Sequence, residues 1–456
     1  MPITDVDLVH RMADSNIRQR AEQQFGINAR IRRKSKGELN RPYTPDEQSS
    51  AEYMALYKKA VAPFVETIVQ RHADVLQIDG YSGPDTLYRQ WLRNSMQAKQ
   101  DNVNFEALQY GYSYLAILPD EAPGNVVFHH MSARNTFAVY DNAFSTYPTM
   151  VLQKISKDSW YYLDAEVTAE FSGSPDRVKD LRISEHGLGY TPVVRLEKVI
   201  TPPTETPESP IAGLFGAADS LSDARFSLAL VSRRLGFPQR WATGLSEPDP
   251  DGKPINMNTQ TLVTDTNTET KFGQFEAANL SNLQVAVDSN LRDLAYLANI
   301  PPHHFSQSVS NLSAEALASL ELAFNRTKSN NQQALAVGYN LAFATAADIL
   351  GIETAPEDAI HWQDLDSRSL PQAAAAMELL DRIGAPEEAV FRLLPGSTQQ
   401  EAKEAAEYAR SRKSAAAATA LISLDAQRLA NAKTLQDLGY SKEEALRMAG
   451  YRIPNQ

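Results

Sequence analysis

The sequence predicts an α+β fold, mostly helical. Three observations carry that expectation. Residues 313 to 350 contain no proline and read as one helix of about 37 residues, roughly 55 Å long at 1.5 Å per residue. Residues 110 to 200 change to short β-like runs separated by Pro, Gly, Asn and Asp. From Ser369 onward the chain is Ala-rich and helical, with short breaks at Gly384, Pro395-Gly396 and Gly439.

Taken in order, residues 1 to 45 are polar. They carry a basic cluster at Arg30, Arg32, Arg33, Lys34 and Lys36, which reads as a solvated loop or a partner-binding arm. Pro42 to Asp46 opens a helix over Glu47 to Val75, with Tyr53, Leu56, Tyr57, Ala60, Val61, Phe64, Val65 and Ile68 on its apolar face. A further helix covers Gly83 to Gln109. The β-like runs are Tyr112–Leu118, Asn125–His129, Thr136–Tyr140, Met150–Ile155, Trp160–Leu163 and Pro192–Leu196, read as antiparallel strands. Pro202 to Pro210 is a linker, and a helix follows from Ile211 to about Leu235. Residues 236 to 282 form a Pro/Gly/Asp/Thr-rich insertion with strand-like pieces at Gln239–Thr243, Thr259–Thr264 and Lys271–Phe275.

The helix from Asn282 to Asn299 carries Leu283, Val287, Leu291, Leu294 and Leu297 on one stripe. Ile300-Pro301-Pro302 stops it, because proline has no N–H and restricts the residue before it. Ser313 caps the long helix, with Glu315 two residues on instead of the three of a capping box. One short strand, Ile360–Asp364, precedes the C-terminal helices at Leu370–Ile383, Pro386–Leu394, Thr398–Asp425, Ala426–Leu438 and Lys442–Ala449.

A chain of 456 residues is too long for one simple core and implies two to four subregions. No apolar run reaches the roughly 18 residues that span a membrane, and the start, MPITDVDLVHRMADS, has no apolar segment of a signal peptide. The lack of cysteine excludes disulfides and thiolate metal sites. The net charge of −12 argues against a protein that grips DNA by neutralising phosphates, which needs clustered Lys and Arg.

Signatures of catalysis are sought and not found. Gly213-Leu214-Phe215-Gly216 lacks the Lys-Ser/Thr ending of a phosphate loop, and Gly187-Leu188-Gly189-Tyr190 lacks the third glycine of a dinucleotide site. His129-His130 and His303-His304 are the paired histidines. Neighbours on a strand point to opposite faces, and neither pair has a Glu at helical spacing, so packing or loop roles are expected and no metal. Asp249, Asp251 and Gly252 are interrupted by prolines and lack the twelfth-position Glu of a calcium loop. Ser172-Gly173-Ser174 lacks the frame of a nucleophile elbow, and no carboxylate pair stands out as an acid/base couple. No enzyme and no cofactor is expected.

The segment from 200 to 340 resembles the portal proteins of tailed double-stranded DNA bacteriophages, of the type found in long-tailed actinobacteriophages. The resembling residues are Ile211-Ala212-Gly213-Leu214 through Asp223-Ala224-Arg225; Pro238-Gln239-Arg240-Trp241-Ala242-Thr243-Gly244, like the family's P-x-R-x-x-x-G strand; Leu294-Ala295-Tyr296 with Ile300-Pro301-Pro302-His303-His304-Phe305; and Asn311-Leu312-Ser313-Ala314-Glu315-Ala316-Leu317, like N-x-S-A-E-A-L. The resemblance implies a portal fold with wing, stem, clip and crown regions: 1–210 wing (mixed α/β); 211–235 stem helix; 236–282 clip; 283–299 second stem helix; 300–312 tunnel loop; 313–369 long wing helix and strand; 370–456 helical crown.

It implies a subunit of a ring of about twelve copies at one capsid vertex, the channel for DNA packaging and ejection and the site of head–tail attachment. Its implied partners are further copies of itself, the major capsid protein, the terminase large subunit, a head–tail adaptor protein, a scaffolding protein, and double-stranded DNA passing without sequence specificity; no membrane is implied. The implied location is the portal vertex of the virion, after assembly in the host cytoplasm. The tunnel loop, His303, His304, Phe305, Ser306, Gln307, Ser308, Val309, Ser310 and Asn311, is the implied channel lining. The competing classes are another head–tail connector or scaffold protein, which are usually much shorter, and a host enzyme with a helical C-terminal domain, which needs a convergent polar pocket.

Overall fold

The computed structural model describes residues 15–40, 51–174, 177–235, 240–244, 269–274, 280–305, 314–363, 370–394, 399–439 and 441–450. The chain divides into two compact units, one of Met1–Gln77 with Tyr81–Ile360 and one of Ile78–Gly80 with His361–Gln456.

In the first unit helix α1 (Ser15–Ser35) carries most of the basic cluster, for which a solvated loop or a partner-binding arm is the sequence expectation. The helical signal was hidden because its inward face mixes buried Ala21 and partly buried Ile17, Phe25 and Ile31 with buried Asn28. Asn28 earns its burial by donating to Tyr112 Oη at 3.0 Å and to the Ala133 carbonyl at 2.6 Å. The basic cluster on α1 and the turn after it is paired with acids of the same chain: Arg33 with Glu38, Lys34 with Asp219 and Lys36 with Glu66, at 3.7 to 3.9 Å.

The helix expected from Glu47 to Val75 is two helices, α2 (Ala51–Ala60) and α3 (Phe64–Ala73). Pro63 divides them, since its ring disfavours helical backbone at Ala62. Strand β1 (Ile78–Tyr81) comes next. The helix expected from Gly83 to Gln109 is likewise split into α4 (Asp85–Arg93) and α5 (Met96–Tyr110), at Ser95 with φ of 55°.

Eight strands follow: β2 (Tyr112–Pro119), β3 (Val126–Met131), β4 (Thr136–Val139), β5 (Met150–Lys154), β6 (Ser159–Asp164), β7 (Val167–Ser174), β8 (Arg177–Glu185) and β9 (Val193–Glu197). They form a three-stranded sheet of order β3-β2-β9 and a five-stranded meander β4-β5-β6-β7-β8, with antiparallel pairing throughout both. The β7–β8 hairpin was not expected, because charged residues alternate along β8 and a bulge interrupts the register between Glu170 and Ser172. Leu152, Trp160, Tyr162, Ala169 and Phe171 bury the face of the meander against which Ile17 and Phe25 of α1 pack.

After a 3₁₀ turn (Ala212–Leu214) comes α6 (Phe215–Leu235), whose Phe226 meets Tyr53 and Tyr57 of α2 edge-on at 4.7 and 5.2 Å. Strands β10 (Arg240–Thr243) and β11 (Lys271–Gln274) pair antiparallel; the strand expected at Thr259–Thr264 lies outside the described residues. Helix α7 (Leu280–Leu297) packs beside α6.

The long helix α8 (Ala314–Leu350) has 37 residues, as expected from the sequence. Its second half is held by the core. Tyr339 is fully buried and donates to Asn104 Oδ1 at 2.7 Å, and Trp91 meets Phe128, Tyr339 and Phe343 with centroids 5.4 to 5.7 Å apart. Gly338 permits the close seat of α8 on β9, since a Cβ there would lie 3.0 Å from Leu196 Cγ and 3.1 Å from the Arg195 carbonyl oxygen.

The second unit has β12 (Ile360–Trp362), which pairs with β1 in a two-stranded sheet, and four helices: α9 (Leu370–Arg382), α10 (Glu387–Phe391), α11 (Gln399–Asp437) and α12 (Lys442–Met448). Helix α11 runs 39 residues without the break expected at Asp425, where neither Gly nor Pro interrupts it. Ser441 and Glu444 make a complete capping box for α12. Glu387 of α10 binds Lys413 at 2.7 Å and Arg410 at 3.4 Å, tying α10 to α11.

Candidate functional site

The candidate site begins where α7 ends. The Ile300 N–H donates to the Ala295 carbonyl at 3.0 Å and the Asn299 N–H to the Tyr296 carbonyl at 3.1 Å, with Asn299 at φ of 52°. This paired closure is a Schellman motif with Asn in the left-handed position, so the helix ends before the prolines are reached. Pro301 then holds extended backbone, and Pro302–His304 forms a single 3₁₀ turn.

The tight turn changes the geometry of the histidine pair. On β3, His129 and His130 obey strand alternation and find different partners: His130 lies 3.1 Å from Ser113 Oγ and 3.4 Å from Glu106, while His129 hydrogen-bonds Gln153. His303 and His304 are not on a strand. Their rings meet edge-on with centroids 4.7 Å apart, and both Nε2 atoms reach the same oxygen, Glu321 Oε1 of α8, at 2.9 and 3.0 Å. The three side chains are 16%, 29% and 25% exposed, so the cluster is partly covered and still open to water. His303 Nδ1 is buried and has no hydrogen-bond partner among the described residues.

Phe324, one helical turn after Glu321, extends the contact. It meets His304 edge-on at 5.6 Å and stacks with His72 of α3 at 5.1 Å. His72 donates from Nε2 to the Ala298 carbonyl at 2.9 Å. Burial lowers its pKa, outweighing that hydrogen bond, and the nearby charges of Lys198 and His304 act in the same direction. One aromatic and imidazole column thus joins α3, the end of α7, the 3₁₀ turn and α8.

Of the residues proposed from sequence for the channel lining, His303, His304 and Phe305 are described; Ser306, Gln307, Ser308, Val309, Ser310 and Asn311 lie outside the described residues, as does the expected cap Ser313. Glu321, Phe324 and His72 were missed. Glu321 stands 17 residues beyond His304, and no local spacing announces it; only the return of the chain through α8 brings it back.

A second polar cluster is occupied by its own fold. Arg195 pairs with Glu197, lies over the Tyr140 ring at 5.0 Å and donates to the carbonyls of Pro203 and Glu205 at 3.2 and 3.0 Å. Burial raises the Glu197 pKa against the opposing pull of Arg195. The adjoining cavity of about 190 Å³ is lined by Tyr140, Arg195, Glu197, Val337 and Leu341 among others. Its charged groups fasten the 198–205 segment and do not converge on an open centre. Arg225 of α6 lies over the Phe64 ring at 5.1 Å.

The family model described as "Phage portal protein, SPP1 Gp6-like" matches residues 58–415. No curated protein matches the sequence. Among solved structures, a chain from the virion of a native gene transfer agent particle is 16% identical, with a TM-score of 0.41, over 78% of this chain and 96% of that chain. A chain from the neck of a native particle, computed with C12 symmetry, is 14% identical, with a TM-score of 0.44, over 82% of this chain and 100% of that chain.

Proposed function

The chain belongs to the phage portal protein family of the SPP1 Gp6-like type, and from that premise we propose that its copies close into a ring of about a dozen subunits at one capsid vertex. The ring is the channel through which DNA is packaged and ejected and the platform for head–tail attachment. In this reading residues 1–210 are the wing, 211–235 and 283–299 the stem, 236–282 the clip, 300–312 the channel-lining loop, 313–369 the long wing helix and its strand, and 370–456 the crown. The partners are the major capsid protein, a scaffolding protein, the terminase large subunit during packaging and a head–tail adaptor afterwards. The subunit itself carries out no catalysis; the motor's ATPase belongs to its partner.

The observation that carries the ring is apolar surface left in water by a single copy. Val285, Tyr296 and Leu297 of α7 are 62%, 82% and 52% exposed, and Leu322 of α8 is 69% exposed. Tyr296 and Leu297 are adjacent and stand about three turns beyond Val285, and large apolar side chains left exposed in this way are what a neighbouring subunit would cover. Native mass spectrometry and negative-stain imaging of the purified chain test the reading. A closed ring with a central hole is the expected result; compact monomers at high concentration, with or without capsid partners, would overturn it. ATP turnover that co-purifies with the ring through stringent steps would overturn the non-catalytic part.

A further inference from the structure

We propose that His303, His304 and Glu321 form a divalent transition-metal site, of the zinc type, that clamps the 3₁₀ turn at the end of α7 to the long helix α8. The reading is independent of the ring and of the channel. The three ligand atoms, two imidazole nitrogens and one carboxylate oxygen, all lie within 4.8 Å of one another. Four-coordinate zinc with bonds of about 2.0 to 2.1 Å places its ligands about 3.3 Å apart. The observed separations of 2.9 and 3.0 Å from Glu321 Oε1 to the two Nε2 atoms need to open by a few tenths of an ångström, while the imidazole nitrogens, within 4.8 Å of each other, adjust to the same spacing by ring rotation.

The donor set selects the metal. Calcium and magnesium take oxygen ligands, whereas two imidazoles with one carboxylate suit zinc and its neighbours. Without a metal, both Nε2 atoms must carry hydrogen to donate to a single carboxylate oxygen. With one, both release that hydrogen and turn their lone pairs to the ion, and Nδ1 carries the proton instead. His303 Nδ1 is buried without a partner among the described residues, so between its two tautomers the choice falls to what Nε2 meets. Three protein ligands leave the fourth position to water, and the partial exposure of His304 and Glu321 gives the ion a way in.

The site has a definite mechanical meaning. Glu321 is 17 residues beyond His304, so the ion would close the intervening chain into a loop pinned at both ends. The test uses the full chain, freed of affinity tag and stripped with chelator, titrated with Zn²⁺ by calorimetry with metal content measured after desalting. One Zn²⁺ per chain with a micromolar or tighter Kd is expected. Glu321→Gln and His303→Gln should each weaken binding at least tenfold, while His129→Gln, remote from the cluster, leaves it unchanged. Co²⁺ loading should give the visible bands of a four-coordinate centre in the parent chain and lose them in Glu321→Gln, with circular dichroism confirming that the variant is folded. Unsaturable or substoichiometric binding, or full binding retained by Glu321→Gln and by the His303→Gln/His304→Gln pair, would overturn the proposal.

Discussion

Glu106 shows how much one side chain organises. From α5 its carboxylate accepts from Ser132 Oγ at 2.6 Å and from the Ala133 N–H at 3.0 Å, with His130 and Arg134 each 3.4 Å away. Burial alone would raise its pKa; the hydrogen bonds from His130 and Ser132 and the charge of Arg134 outweigh it and hold the value below the ordinary 4.5. As pH falls the unfolded chain therefore takes up this proton first. The stabilisation is whole above the unfolded value and is lost as pH drops through the folded one. Glu106→Gln should cost about 1.5 to 3 kcal/mol at neutral pH, and the deficit should shrink below pH 4.5. Denaturant unfolding at both pH values checks it, and an equal deficit at each would rule out the charge as the cause. At Gly338, a valine would press on Leu196 and on the Arg195 carbonyl, with an expected loss of about 1 to 3 kcal/mol by overpacking. An unchanged urea midpoint would mean that the seat of α8 on β9 yields freely.

At the scale of elements, the end of α7 depends on a left-handed residue. Asn299→Val places a branched side chain at φ of 52° and should lower stability by about 1 to 2 kcal/mol, while Asn299→Gly should hold or raise it. Thermal unfolding of the two variants decides the point, and a valine variant as stable as the glycine one would refute the closure described. The same region shows where sequence reading succeeds and stops. Long proline-free stretches such as α8 and the apolar runs of β2 and β5 were legible, because periodicity and composition are local. Of the breaks inside two expected helices, the one at Pro63 has a local cause in the sequence, whereas the one at Ser95 carries only a weak signal. Helix α1 and the β7–β8 hairpin were hidden by polar residues whose partners come from distant segments, as Asn28 finds Tyr112 and Ala133. At the site, the paired histidines were visible. Their convergence was not, because it depends on a 3₁₀ turn and on Glu321 arriving from α8.

For the whole molecule, charge sets the terms on which DNA is met. Each copy carries a net charge of −12, so a ring multiplies the repulsion of phosphate and should show no strong, salt-dependent affinity for duplex DNA. Filter binding at about 50 and 200 mM salt checks this, and retention that collapses between the two would refute it. On the proposed channel assignment, replacing Ser306, Gln307 and Ser308 with alanine should leave ring yield intact, since substitutions outside a packed core usually cost less than about 0.5 kcal/mol. Replacing the same residues with lysine should lower the DNA packaged per head. Loss of rings in the alanine variant, with packaging indifferent to lysine, would refute the channel assignment. The division of the chain near residue 360 lies about ten residues before the Ala-rich helical stretch that composition marks from Ser369 onward. Helix α8, finally, is a beam built in at one end. From Phe324 through Ala347 its buried side chains are locked in the core, and Glu321, one turn earlier, is tied to His303 and His304. A backbone rod of this kind resists bending but passes on any tilt at its root. A change of a few degrees in the packing around His72 and Phe324 would therefore be carried along the axis to Glu321 and to the histidine pair it holds.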